Sequence, residues 1–204
     1  MKNVITAELI RNSYTYPDYI RLIEELLAEG KTTGPDQTLE MIELTRLNIL
    51  RMKRITKTAR VDEQAKKLLL GIGHPNTWLV IGEAWCGDRA QIIPYFNAMA
   101  ELNPKIRLRI ILRDEHPEVM NEFLTENKRS IPVFISLDED LHVMATWGPR
   151  PVHAKNIFYA YKNDMNMTKE DFHRELHLWY AKDQGRAVTT EICELLEKTH
   201  LAHV

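Results

Sequence analysis

Along the first seventy-odd residues, apolar side chains recur at three- and four-residue spacing, the mark of helices with one buried face. Thr15, followed by Pro17 and Asp18, reads as a capped helix start, and the helix through "YIRLIEELLAEG" should stop at Gly30. "KTTGPDQT" is a loop by its Gly-Pro and polar content. A long amphipathic helix begins near Leu39 and runs through "MIELTRLNILRMKRI"; another, "DEQAKKLLLGIG", ends near Gly71 or Gly73. From Thr77 the period changes. "TWLVIG" is a short apolar run of strand formers bounded by Asn76 and Gly82, and suits a buried strand. "DRAQIIPYFNAMAEL" returns to helical spacing. "KIRLRIILRD" alternates and then turns fully apolar, a second interior strand. "HPEVMNEFLTEN" is a helix with Pro117 in its first turn. "IPVFISL" and "LHVMATW" flank the acidic turn "DED" and predict an antiparallel hairpin. "PVHAKNIFYAYKND" is helical again. Thr168 and Asp171 have capping-box spacing at the head of "TKEDFHRELHLWYAKD", and "TTEICELLEKTH" closes the chain as an amphipathic helix.

The predicted core order is strand, helix, strand, helix, strand, strand, helix. Helical crossovers between the first three strands call for parallel pairing among them, and the hairpin adds an antiparallel edge. The expected fold class is therefore α/β: a central mixed sheet flanked by helices, with helical N- and C-terminal extensions. We read residues 1–204 as a single domain with a helical N-terminal extension over 1–76, an α/β core over 77–162 and C-terminal helices over 163–204. No repeat or low-complexity tract interrupts it.

Composition narrows this only slightly. A chain of 204 residues, 44% hydrophobic and 27% charged, has the makeup of a packed globular domain rather than a disordered or fibrous chain. A formal charge of −2 gives no general attraction to nucleic acid or anionic membrane, and neither is expected as a partner. "MKNVITAELIRNSYTY" lacks the basic-then-apolar pattern of a secretory signal, and no stretch approaches a membrane span. Two cysteines make no disulfide framework. A reduced, cytoplasmic protein is the expectation.

The chemistry concentrates in "EAWCGDRAQIIP", Glu83 to Pro94. Cys86 falls at the junction of a strand and the next helix, where unpaired N–H groups favour a thiolate, the nucleophile of disulfide exchange. Arg89, one turn on, adds positive charge near the sulfur, and Asp88 opposes it. Trp85 offers a flat apolar wall, Gly87 clears space beside the sulfur, and the charged Asp88-Arg89 pair predicts an exposed helix start. The competing reading is a small buried hydrophobe, the commoner fate of a lone cysteine.

Residues 77 to 162 resemble the thioredoxin fold. Trp85-Cys86-Gly87 matches the start of its redox motif, Pro94 matches the proline that bends its active-site helix, and Pro132 in "SIPVF" matches its cis-proline. The wider chain, with "TWGPRP" after the hairpin, is similar to a bacterial group called simply thioredoxin family proteins. The resemblance implies a cis Ile131–Pro132 bond lying against Cys86, with the Ile131 backbone exposed to pair with a substrate peptide. Its second cysteine is replaced here by Arg89 and its intervening residue by Asp88. Its buried aspartate maps onto Val80, with Glu83 nearby as a substitute.

With one thiol at this position and no neighbouring resolver, the expected function is that of a monothiol exchange protein. Cys86 is the catalytic nucleophile; Trp85, Gly87, Asp88, Arg89 and Glu83 support it; Ile131, Pro132, Trp147 and Arg150 contact the substrate. Its partners would be protein or small-molecule disulfides, with no bound cofactor beyond a low-molecular-weight thiol such as glutathione as co-substrate. Arg150, in the stiff turn Trp147-Gly148-Pro149-Arg150-Pro151, either binds a carboxylate of that thiol or of a substrate, or is a surface arginine at a rigid helix start. The alternative function is a non-redox module that holds an extended peptide beside Pro132. A sulfenic acid at Cys86, sensing peroxide, is a third. Cys193 in "EICELLEK" reads as a structural cysteine. His173 and His177 have chelating spacing but no third ligand, so no metal is expected. Arg46, Lys53, Lys57 and Arg60 read as a solvated face. Homo-oligomerisation is left open, the helical flanks being compatible with a dimer contact.

Overall fold

The computed structural model describes residues 4–201; residues 1–3, on which the reading of the leader partly rests, and residues 202–204 lie outside the described residues. Among the described residues the elements are α1 (Ala7–Asn12), α2 (Tyr16–Ala28), α3 (Leu39–Thr58), α4 (Glu63–Leu70), β1 (Asn76–Gly82), α5 (Gly87–Ala100), β2 (Ile106–Leu112), α6 (Pro117–Glu122), β3 (Val133–Leu137), β4 (Val143–Trp147), α7 (Val152–Asn163), α8 (Lys169–Asp183) and α9 (Arg186–Leu201). The predicted caps form: Thr15 Oγ1 accepts from Asp18 N–H, and Thr168 with Asp171 closes a capping box. No helix among them is long and apolar enough to cross a membrane.

The strands form one sheet in the order β2-β1-β3-β4, an α/β thioredoxin-like arrangement. β1 runs parallel to β2, with Val80 opposite Ile110, and antiparallel to β3, with Val80 opposite Phe134. The expected parallel pairing is thus confined to β1 and β2. The hairpin β3–β4 is antiparallel, with a register shift at Ser136/Leu137. Three features differ from the sequence reading, the first being the short helix α1, capped by Thr6 ahead of the first expected helix. The helix after Pro117 stops at Glu122, because Glu126 and Asn127 take left-handed backbone angles in a tight turn closed by Thr125 and Lys128. Tyr14 exchanges two backbone hydrogen bonds with Ile110 (2.9 and 2.8 Å) and so covers part of the outer edge of β2.

Period-two alternation along β1 sends its side chains into two cores. Trp78 and Val80 join Phe96, Phe134, Ile110 and Leu112 in the larger one, which α2, α3, α5 and α9 cover. Leu79 and Ile81 join Ile111, Val133, Ile135 and Ile5 in the smaller one, together with Val119 and Met120 of α6. Helix α5 is buried on nearly all sides, which its apolar run through "IIPYF" requires. Cys86 belongs to the smaller core.

The N-terminal extension is tied to the Cys86 loop through buried polar groups. Asn48 of α3, 1% exposed, donates through its side-chain amide to the Ala84 carbonyl (2.9 Å). Ala84 N–H in turn donates to Thr33 Oγ1 (2.8 Å), in the loop between α2 and α3. These bonds take up both backbone groups of a buried residue two positions before the thiol, a role that water fills on an open loop.

Candidate functional site around Cys86

Cys86 is the N-cap of α5, and its backbone N–H donates to the Glu83 carbonyl (3.1 Å) while its carbonyl accepts from Ala90 N–H (3.1 Å). Across the loop, the Cys86 thiol donates to the Ile131 carbonyl, with S···O at 3.5 Å. The peptide bond that follows, Ile131–Pro132, is cis, as is Gly148–Pro149. Cys86, Ile131, Pro132 and Arg150 therefore meet at one end of the sheet, beyond the last residues of β1 and β4.

The exposed, ionised thiol expected from the sequence is not what forms. Cys86 is 8% exposed, and its thiol is pushed up to about 11, first by burial and then by the Asp88 carboxylate. The Arg89 N–H at the helix start, with the Arg89 and Arg150 charges, acts the other way but does not prevail. The exposed helix start is overturned too: Asp88 is 7% and Arg89 0% exposed. The reason is α8 on one side and α2 with α3 on the other. Tyr180 of α8 donates its hydroxyl to Asp88 Oδ1 (2.8 Å), and Arg150 Nη2 lies 2.6 Å from Asp88 Oδ2. His177 packs on Gly87, where an added Cβ would lie 3.3 Å from its Cε1, and meets the Gln91 amide at 3.2 Å. Gly87 clears space, but for His177. Burial lowers His177 to about 4, so its ring is neutral at neutral pH.

Arg89 points the other way, into the large core. Its guanidinium stacks over Tyr19 at 4.0 Å, and Nη2 contacts Met52 Sδ at 3.4 Å. Gly82 makes room for it: a Cβ there would stand 2.3 Å from Arg89 Cδ.

The remaining candidates are placed as follows. Glu83 is fully buried, with its carboxyl pushed up by burial, and takes the Asp114 N–H at 3.0 Å. Trp85 is half-buried, and its ring is covered by the Arg113 guanidinium at 4.8 Å. Trp147 donates from its indole N–H to Glu191 of α9 (2.7 Å), and Glu191 also caps Val152 N–H (2.8 Å). With Gly148, Val133, Phe123 and Leu124, Trp147 still borders a cleft of about 230 Å³. Arg150 is no surface arginine: Asp88 holds it, and its guanidinium lies over Phe158 at 4.7 Å. Cys193 is half-buried against the large core, likewise raised to about 11 by burial, and both cysteines are free thiols. Among the described residues no cluster of three metal-ligating side chains occurs. Sequence reading missed Tyr19, His177 and Tyr180 as neighbours of the thiol. Tyr180 is 92 positions from Asp88, and nothing local marks it.

Fold and site together define a thioredoxin-like α/β protein with a single thiol at the head of its first core helix. The family model described as "Thioredoxin" matches residues 34–169, and the chain belongs to that family. Two solved structures are similar along nearly the whole length. One is an HIV epitope-scaffold, at a TM-score of 0.61 and 18% identity over 94% of this chain and 97% of that one. The other is a protein of unknown function from Pseudomonas aeruginosa, at a TM-score of 0.57 and 16% identity over 91% and 98%. At these identities the likeness is one of fold. No curated protein matches the chain.

Proposed function

We propose that this thioredoxin-like protein carries out single-thiol disulfide exchange with Cys86 as its nucleophile. The carrying observation is the contact of the sulfur with the Ile131 carbonyl at 3.5 Å, beside the segment where a substrate chain would pair. The Cys86 thiolate attacks one sulfur of a substrate disulfide; a Cys86–substrate disulfide forms and the other substrate sulfur leaves with the electron pair. An external thiolate of the glutathione class then attacks the substrate sulfur of that mixed disulfide, and Cys86 leaves as thiolate. Pro132 and the Ile131 backbone, both buried at rest, form the ledge once a substrate chain opens the site, and the cleft at Trp147, lined also by Glu122, Thr125 and Thr146, takes a side chain of the substrate. Both cysteines being free suits a reducing compartment such as the cytoplasm.

Removal of glutathione from a glutathionylated protein tests it. Activity should fall to the uncatalysed rate in Cys86→Ser and survive in Cys193→Ser. Equal activity of wild type and Cys86→Ser would end the proposal.

The burial of Cys86 favours a second reading, a peptide-binding module without turnover. A thiol at about 11 is ionised in roughly one molecule in ten thousand at pH 7. Its greater basicity recovers only part of that, leaving attack on the order of 20-fold slower than for an ordinary exposed thiol. Under this reading Cys86→Ser binds extended peptides as wild type does and neither protein exchanges disulfides.

A further inference from the structure

Helices α7 and α8 and the turn that joins them leave a cleft of about 540 Å³ open on the outside of the molecule. Its apolar lining is Ile157 of α7, Met167 of the turn and Trp179 of α8, with the His153 ring stacked on Trp179 at 5.3 Å. Two large apolar side chains stay in water beside it. Leu178, 55% exposed, stands on its wall, and Met165, fully exposed, sits between the lining residues Asp164 and Asn166. Apolar side chains grouped at a cleft and rimmed by charge have the makeup of a contact surface.

Six residues of α8 line the cleft: Asp171, Arg174, Glu175, Leu178, Trp179 and Lys182. Their spacing keeps them on one face of the helix over about 17 Å. The order of chemistry along that face identifies the occupant. Turned end for end about a point midway between Leu176 and His177, the face falls on itself. Asp171 then meets Lys182, Arg174 meets Trp179, and Glu175 meets Leu178, so every lining residue of α8 has a counterpart in the same set. The first two contacts each occur twice, an acid against a base and a guanidinium against an indole ring. Lys182 of one copy also comes within one turn of Glu175 of the other. Within one copy Arg174 pairs with Asp171, while Glu175 and Lys182 form no ion pair among the described residues. A parallel alignment would instead set Asp171 against Asp171 and Lys182 against Lys182.

We propose that this face of α8 is the contact of a two-fold dimer, in which α8 lies antiparallel to α8 of a second copy and Leu178 of each enters the cleft of the other. Such an interface is isologous: one patch serves both copies, and the contact closes with two chains. Burial of Leu178 and Met165 supplies the apolar gain, and the charges fix the register. The inner face of the same helix carries His177 onto Gly87 and Tyr180 onto Asp88. The dimer contact and the cover of the thiol loop are thus opposite faces of one helix.

Sedimentation equilibrium of the full chain at about 50 μM tests this, a concentration at which a micromolar contact is largely filled. The expected mass is twice the 23.9 kDa of one chain. Leu178→Glu, at an exposed position, sets a second carboxylate against Glu175 in both halves of the contact and should weaken the dimer about a hundredfold or more, giving monomer. Lys182→Glu should raise the dissociation constant about tenfold. A wild type that is monomeric at this concentration overturns the proposal, as does a folded Leu178→Glu that remains a dimer. The register is read separately, by carbodiimide cross-linking of isotope-labelled and unlabelled wild type incubated together. Mass spectrometry should find Lys182 of one isotope joined to Asp171 or Glu175 of the other; a dimer without these links refutes the α8 contact. This wild-type reading also decides should Leu178→Glu not fold.

Discussion

Asp88→Asn should give a less stable protein with a faster thiol. Asp88 accepts from Tyr180 and pairs with Arg150 at 2.6 Å, with side chains 8% and 17% exposed. Removing the charge of one member of so buried a pair strands the other, at a cost of about 3 kcal/mol. The same carboxylate is the second cause, after burial, of the raised Cys86 thiol. Its loss, with Arg150 freed of its counter-ion, lowers the thiol, so alkylation at pH 8 is faster in the variant than in wild type. The sign carries into stability. A thiol held above its ordinary 9.0 in the fold adds stability below pH 9 and loses it as pH rises toward 11. Denaturation against pH should show this loss in wild type and a narrower window in the variant. A variant that is both less stable and slower to alkylate would contradict the electrostatic account of Cys86.

The second large effect is Gly148→Ala. Gly148 has φ +135°, a region L side chains rarely enter, and a Cβ there would lie 2.3 Å from the Pro132 carbonyl oxygen and 3.3 Å from its carbon. Both obstacles are backbone, so no side chain can swing away. The turn carrying Arg150 and the segment opening β3 must separate, and the variant should lose about 3 kcal/mol or more in chemical denaturation. It should also expose Cys86, since the displaced parts bear the Ile131 carbonyl and the Asp88 partner. A loss under about 1 kcal/mol would show that these two turns do not lock each other.

How far the sequence revealed this arrangement depended on the range of the interaction. Strands β1 to β4 and helices α2 to α5 and α7 to α9 were legible because their periods and caps are local: Thr15 and the Thr168–Asp171 box act within one turn. The placement of Cys86 at the strand–helix junction was legible for the same reason. Its burial was not. Two charged residues after a glycine read as a solvated helix start, yet Tyr180 and Arg150 close over Asp88 while Tyr19 and Met52 enclose Arg89. Those contacts join residues dozens of positions apart, and no period encodes them. The direction of β3 was likewise invisible: strand pattern carries no polarity, and the short α6 with its left-handed turn at Glu126 and Asn127 leaves the chain to re-enter antiparallel to β1.

The buried polar ties between extension and core were the other blind spot. Asn48 and Thr33 look like ordinary helix-surface and loop residues, but they hold the Ala84 backbone just ahead of the thiol. The N-terminal helices thus do for the Cys86 loop what hydration does on an open one.

The most direct test is the intact mass of the wild-type protein after incubation with oxidised glutathione at pH 8. Single-thiol exchange predicts one glutathione adduct, mapped to Cys86 and removed by added reduced glutathione. A protein that stays unmodified while an exposed control thiol reacts to completion, or that takes its adduct on Cys193 alone, would contradict it.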